Sequence, residues 1–233
     1  MFNRAPKKTV FTLNINGYAK EITDLTYPLI HHYADKIGAE FKVIETRRWP
    51  DAPVTYEKFQ IYYLAQEMGN DWNIYIDSDT IVHPNLPDVT TMLSKDTVLH
   101  HGSDFAPVRW RYDRYFYRDG RHIGSCNWFA VASDWCIDLW HPLDDLTYDE
   151  AIANISPIVL ETKNGTFAEH LIDDYTCSRN IARFGLKFTT LIDLFQKEMK
   201  GQPGYLWHIY NVPFEEKLAK IKKAIEDIGV TTS

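Results

Sequence analysis

Apolar and polar positions change their period several times along the first hundred residues. Residues 10–15 (Val-Phe-Thr-Leu-Asn-Ile) form a strand-like run that Asn16-Gly17 ends in a turn. Over residues 25–39, Leu25, Leu29, Ile30, Tyr33, Ala34 and Ile37 recur at helical spacing, and Gly38 stops the helix. Residues 41–45 read as a second strand. Residues 56–68 read as a second amphipathic helix with Phe59, Tyr62, Tyr63 and Leu64 inward, closed by Gly69-Asn70, and residues 72–76 as a buried strand. Beyond them, residues 98–101 and 126–132 read as strands on either side of a loop at 104–120. Ser133-Asp134 caps a short helix running to Trp140. Residues 166–184 predict a long helix ended by Gly185, residues 186–191 a strand, and residues 215–228 a Lys- and Glu-rich helix with a solvated outer face. Strands alternating with helices predict an α/β fold, a mostly parallel mixed sheet flanked by helices, in a single domain.

The apolar run at 72–76 leads straight into Asp77-Ser78-Asp79-Thr80, followed by Ile81-Val82-His83-Pro84. In open α/β sheets ligands bind beyond the carboxyl ends of strands, and that is where this acidic pair falls. Two carboxylates one residue apart at a chain reversal can converge on one hard cation. A manganese or magnesium ion (Mn²⁺ or Mg²⁺) held by one or two carboxylates and by substrate phosphates is the usual economy of such sites. Aspartates also serve turns through backbone hydrogen bonds; the apolar strand before the pair and the Ile-Val-x-Pro after it favour the cation.

Composition narrows the function classes. With 233 residues, 45% hydrophobic and 24% charged, the chain is an ordinary globular protein, which excludes disordered, collagen-like and coiled-coil classes. A net charge of −7 argues against nucleic acid bound through bulk charge. One local exception is the loop 109–121, where Arg109, Arg111, Arg114, Arg118 and Arg121 are interleaved with five aromatic residues and only two Asp. It suits an acceptor loop or a subunit contact better than a base-stacking surface. The 14 Tyr and 7 Trp suit stacking on flat or sugar-like ligands, although core packing absorbs most of them. Cys126, Cys136 and Cys177 are odd in number and lack a CxxC spacing, so they predict reduced buried thiols and a cytoplasmic location. Residues 10–15 are too short, and too broken by Thr12 and Asn14, for a signal peptide. No run approaches the roughly 18 apolar residues of a membrane span.

The stretch Lys58-Phe-Gln-Ile-Tyr-Tyr-Leu64, with Trp72-Asn-Ile-Tyr-Ile-Asp77-Ser-Asp79-Thr-Ile-Val-His-Pro-Asn-Leu86, resembles the GT-A glycosyltransferases. The likeness is most specific over residues 55–90 and extends more loosely from 10 to about 210. It implies a DxD-bound metal bridging the diphosphate of a nucleotide sugar, a UDP-sugar by preference. The implied activity is transfer of a hexosyl group to the hydroxyl of a glycan, protein or small-molecule acceptor. It divides the chain into a nucleotide-sugar half (about 8–105), an acceptor and catalytic half (about 106–212) and a carboxy-terminal helix (213–233).

The resemblance also implies roles for further residues. Asn14, Asn16 and Tyr18 fall where the family's base and ribose lie, although Asn16-Gly17 also makes an ordinary turn. Ser78 sits between the two acidic residues, and Lys58 falls where members carry a cation near the diphosphate, or is a solvated helix lysine. Asn127 and Trp128 match the strand beneath donor sugar and acceptor; Trp128 stands where a small residue is usual and serves as an acceptor platform or in the core. Asp173 and Asp174 resemble the acidic helix start of inverting members, with Ile172 in place of the usual Glu; one of them would be the base, although acidic residues favour first turns anyway. His208, after Lys200-Gly-Gln-Pro-Gly204, falls where a carboxy-terminal His completes the metal shell. The alternative is an aromatic cluster with Tyr205, Trp207 and Tyr210. The Asn127 strand and the Asp173 helix lean towards different branches of the fold, so retention and inversion both stay open.

Two other classes compete. A haloacid dehalogenase-like Mg-dependent phosphatase uses a similar acidic motif with Asp173-Asp174 as the metal-holding pair, but its motif normally opens the domain. A non-catalytic nucleotide-sugar-binding module would have lost turnover while keeping these residues.

Overall fold

The computed structural model describes residues 4–101, 128–161, 171–195, 204–210 and 212–229. Strand β1 (Lys8–Leu13) lies between β2 (Glu40–Ile44) and β3 (Trp72–Ile76) and runs parallel to both. β3 is buried at every position, and a strand covered on both faces reads as a continuous apolar run. β4 (Thr80–Val82) leaves that sheet. β5 (Thr97–His100), β6 (Phe129–Ser133) and β7 (Lys187–Thr190) complete the order β2-β1-β3-β6-β5-β7. β6 pairs antiparallel with β3 and β5, and the other pairings are parallel, so the sheet is mixed and mostly parallel as expected. β4 pairs antiparallel with β8 (Leu206–His208) in a second, two-stranded sheet that the sequence pattern does not reveal. Three residues per strand are too few to carry a period.

Helices cover both faces. Alternation along the strands sends Phe11, Tyr75 and Ala130 into one apolar cluster and Val10, Ile74 and Val131 into the other. Helix α1 (Lys20–Lys36) packs with the second cluster and begins five residues earlier than its apolar period suggests, because its first turn is polar apart from Ile22. The predicted helix 56–68 divides into a 3-10 segment, Val54–Gln60, and α2 (Ile61–Met68). With three residues per turn, the 3-10 segment shifts the inward face: Tyr56, Phe59, Ile61 and Ala65 are buried, while Tyr62, Tyr63 and Leu64 are only half-buried.

Helix α3 (Tyr148–Glu161) was not predicted, yet a capping box marks its start. The Thr147 N–H donates to Glu150 at 2.8 Å and the Glu150 N–H donates to the Thr147 hydroxyl at 3.2 Å. Helix α4 (Ile172–Arg183) occupies the second half of the predicted 166–184; residues 166–170 lie outside the described residues. After the short α5 (Leu191–Phe195), α6 (Phe214–Asp227) keeps its expected solvated outer face, with Glu215, Glu216, Lys220, Lys222 and Lys223 exposed, and buries Ile221 and Ile225 on the other side. Cys136 and Cys177 are buried free thiols; Cys126 and the loop 109–121 lie outside the described residues. No helix among the described residues is long and apolar enough to cross a membrane.

Candidate metal centre

At the end of β3 the Asp77 N–H donates to the Trp128 carbonyl at 2.9 Å, and the Thr80 N–H donates back to the Asp77 carbonyl at 3.0 Å. That turn reverses the chain into β4 and brings the side chains of Asp77 and Asp79 together. The Thr26 hydroxyl on α1 donates to the Ser78 carbonyl at 2.5 Å, tying the turn to the helix behind it. In the second sheet Thr80 pairs with His208, so the imidazole arrives beside the acidic pair from a segment more than a hundred residues away. One ligand atom each from Asp77, Asp79 and His208 lie within 4.8 Å of one another. His208 Nε2 stands 3.2 Å from Asp79 Oδ1 and 3.7 Å from Asp77 Oδ2.

These residues fit a divalent cation. Neighbouring ligands on an octahedral ion with bonds of about 2.0–2.1 Å are roughly 3 Å apart, and carboxylates and imidazole are both ordinary ligands of divalent cations. Electrostatics agrees. Burial raises the Asp77 carboxyl above its usual range; Lys58 opposes the rise and the charge of Asp79 adds to it. Burial also raises Asp79, but the hydrogen bond and charge of His208, with the charge of Lys217, overcome it and bring its pKa down to about 2. A buried carboxyl that resists ionising beside an ionised neighbour is stabilised by one more positive charge.

Lys217 and Tyr75, which the sequence pattern did not single out, complete the surroundings together with Tyr210 of the aromatic cluster. Lys217, one turn into α6, donates to Asp79 Oδ2 and stands close to the Tyr18 hydroxyl. Nothing local distinguishes it from Lys220, Lys222 or Lys223; only the docking of α6 through Ile221 and Ile225 aims it inward. Tyr75 donates its hydroxyl to Asp77 Oδ1. Burial first, then the charge of Asp77, raises the phenol well above its ordinary range, so it remains a donor. Tyr210 stacks on His208 at 5.8 Å between ring centroids.

Strand alternation divides the aromatic residues around His208. Tyr205 and Trp207 point to the other side of β8, where both pack near His83 at 6.1 Å. His208 instead lies between Trp128 (5.4 Å, 18° between planes) and Tyr210, with its Nε2 edge towards the carboxylates. Its Nδ1 is buried and has no hydrogen-bond partner among the described residues. Trp128 stacks on His101 at 4.5 Å on its far side, and the two rings line a cleft of about 200 Å³ that Leu191, Phe195, Tyr205 and Leu206 complete.

The other sequence-derived residues separate. Lys58 is neither solvated nor at an open surface: it is buried, donates to Asp173 Oδ2, and sits 4.5 Å over the Tyr75 ring. Asp173 and Asp174 are both buried at the start of α4 and are outside the Asp77-Asp79-His208 group. Asn14 is half-buried at the end of β1, where its N–H donates to Ile44 at 2.9 Å. Asn16 and Tyr18 are exposed in a loop where Asn16, Gly17 and Ala19 have φ of 60°, 67° and 43°, a left-handed run that only Gly adopts without cost. Asn127 lies outside the described residues.

No family model and no curated protein matches the sequence. Among solved structures, a glycosyltransferase involved in the glycosylation of the major capsid of PBCV-1 matches with a TM-score of 0.52 at 11% identity, over 94% of this chain and 100% of that one. The catalytic domain of Drosophila beta1,4galactosyltransferase 7, in complex with xylobiose, matches with a TM-score of 0.49 at 12% identity, over 88% of this chain and 71% of that one. With its mixed sheet of this order and an acidic turn at the end of β3, the chain has the GT-A glycosyltransferase fold.

Proposed function

We propose that the protein transfers a sugar from a nucleotide diphosphate sugar, by preference a UDP-sugar, to an acceptor hydroxyl, using a divalent cation held by Asp77, Asp79 and His208. The observation that carries this reading is the convergence of two carboxylates and an imidazole at the carboxyl end of β3 in a GT-A fold. When bound, the cation would offset the charge that develops on the departing diphosphate. Lys217 contributes a second positive charge beside Asp79 and limits how far that charge must spread. Tyr18, exposed next to Lys217, offers a ring to the base, and Asn14 and Asn16 offer polar groups to base and ribose. Trp128, which stacks on His208, also borders the cleft, and its ring with the apolar walls supports placing the acceptor there. Proton acceptance from the acceptor hydroxyl is assigned to Asp173 or Asp174 at the start of α4, and Asp173 also accepts a hydrogen bond from Lys58. Two buried free thiols support a cytoplasmic location.

A thermal-shift panel of UDP, GDP and CDP, with and without Mn²⁺, tests the class. One nucleotide together with Mn²⁺ is expected to raise the melting point by roughly 5–10 °C at ligand about 100-fold above Kd, and chelator to abolish the gain. Stabilisation by none of the pairs, with phosphate release from simple esters, would overturn the reading. Asp174→Asn keeps shape and removes proton acceptance. It is expected to lower transfer by about 10²–10⁴-fold while nucleotide and metal binding stay within a few-fold; unchanged turnover would remove Asp174 from the mechanism.

A further inference from the structure

We propose that Tyr75 and Lys217 are positioning residues that confine Asp77 and Asp79 to one ligating oxygen each, and that this makes the centre select a compact octahedral cation over Ca²⁺. The inference rests on the metal-dependent reading above and adds a selectivity mechanism to it. Each carboxylate has one oxygen taken by a protein donor: the Tyr75 hydroxyl holds Asp77 Oδ1, and the Lys217 ammonium holds Asp79 Oδ2. The two remaining oxygens, Asp77 Oδ2 and Asp79 Oδ1, are the ones that face His208 Nε2, at 3.7 and 3.2 Å. The protein thus presents three single-atom ligands on one side of the cation position and leaves the rest of the shell to substrate oxygens and water.

Neither donor is free to drift. Tyr75 is fully buried within β3, and its ring lies under the Lys58 ammonium at 4.5 Å, itself held by Asp173. Lys217 is carried on α6, whose Ile221 and Ile225 are buried against the second apolar cluster. Ca²⁺ takes six to eight oxygens and fills its larger shell with carboxylates bound through one or both oxygens, whereas the smaller cations keep a six-ligand octahedron. A carboxylate whose second oxygen is held by a protein donor closes a two-oxygen chelate on the larger ion only at the expense of that hydrogen bond. The Asp173, Lys58 and Tyr75 chain therefore reaches the centre by fixing which oxygen Asp77 offers.

The test is titration calorimetry of the full chain with Mn²⁺ and with Ca²⁺, without nucleotide, on wild type, Tyr75→Phe and Lys217→Met, alongside the melting point of each metal-free protein. Tyr75→Phe is expected to weaken Mn²⁺ binding about 10- to 100-fold, the range for losing an outer support of a metal ligand. Ca²⁺ binding is expected to hold or improve, so the Mn²⁺ to Ca²⁺ affinity ratio falls at least tenfold. Lys217→Met removes a repelling charge as well, so the ratio is its readout, and it is expected to fall too. Equal changes for both cations in both variants, or none, would overturn the proposal while leaving the metal site standing. Wild type that binds neither cation would overturn the metal reading itself. If Tyr75→Phe fails to fold, Lys217→Met and the infrared difference spectrum of wild type on adding Mn²⁺ decide: single-oxygen carboxylate splitting supports the proposal, and a chelating pattern refutes it.

Discussion

Asp79→Asn is expected to reduce sugar transfer by at least about 10³-fold, at the upper end of what removing one preorganised stabiliser costs. The side chain meets both His208 and Lys217, so its charge organises the centre from two sides. Asparagine keeps an oxygen for the Lys217 ammonium, which preserves the docking of α6 and confines the damage to the cation position. The metal-free variant is therefore expected to melt within a few degrees of wild type, while the stabilisation by Mn²⁺ with nucleotide is lost. His208→Ala in the same assay removes one ligand and keeps the acidic pair, so it serves as the graded comparison. Near-normal transfer by Asp79→Asn in the presence of chelator would refute the role of this carboxylate.

The largest effect on stability is expected from Lys58→Met. The Lys58 and Asp173 side chains are 2% and 3% exposed and are joined across 115 positions of sequence. Removing one partner of a buried pair leaves an uncompensated charge and costs about 3–5 kcal/mol. For a chain of this length that lowers the melting point by roughly 6–20 °C. The loss carries a pH signature whose sign follows from Asp173. Burial holds its carboxyl above the usual range even with Lys58 beside it, and losing that lysine removes the larger opposing influence and leaves the hydrogen bond from the Asp174 N–H. A carboxyl whose folded value lies above the unfolded value of about 3.9 adds no penalty below that pH, and the penalty accumulates as pH rises through the folded value. The deficit of Lys58→Met is thus expected to be smaller at pH 5 than at pH 7.5 in parallel thermal melts. A second substitution, Asp173→Leu, removes the stranded charge and is expected to recover much of the loss. A single variant as stable as wild type at neutral pH would show that the pair contributes little.

The chain's own pattern determined the layered α/β architecture, because each element that builds it carries a local period. β3 is a fully buried strand and reads as an apolar run broken only by Asn73; α1 and α6 repeat their buried positions every three or four residues. The acidic turn was legible for the same reason: Asp77 and Asp79 are neighbours in sequence, and the strand before them fixes where they emerge. Resemblance alone sets His208 beside the acidic pair, and it says nothing of the residue's surroundings. Only the pairing of β4 with β8 sets it opposite Thr80, and only strand alternation separates it from Tyr205 and Trp207. Lys58 suited a diphosphate contact by its position on a helix, yet the 3-10 segment that carries it turns the side chain inward to Asp173. Lys217 and Tyr75 gave no local sign at all, since a helix lysine and a strand tyrosine look alike whether they meet a carboxylate or not. Hydrophobic period records which face of an element is buried; it holds no record of which polar group waits on the other side. That assignment comes from long-range pairing, here between residues separated by 115 and 138 positions, and it exists only once the sheet and helices have closed around the site.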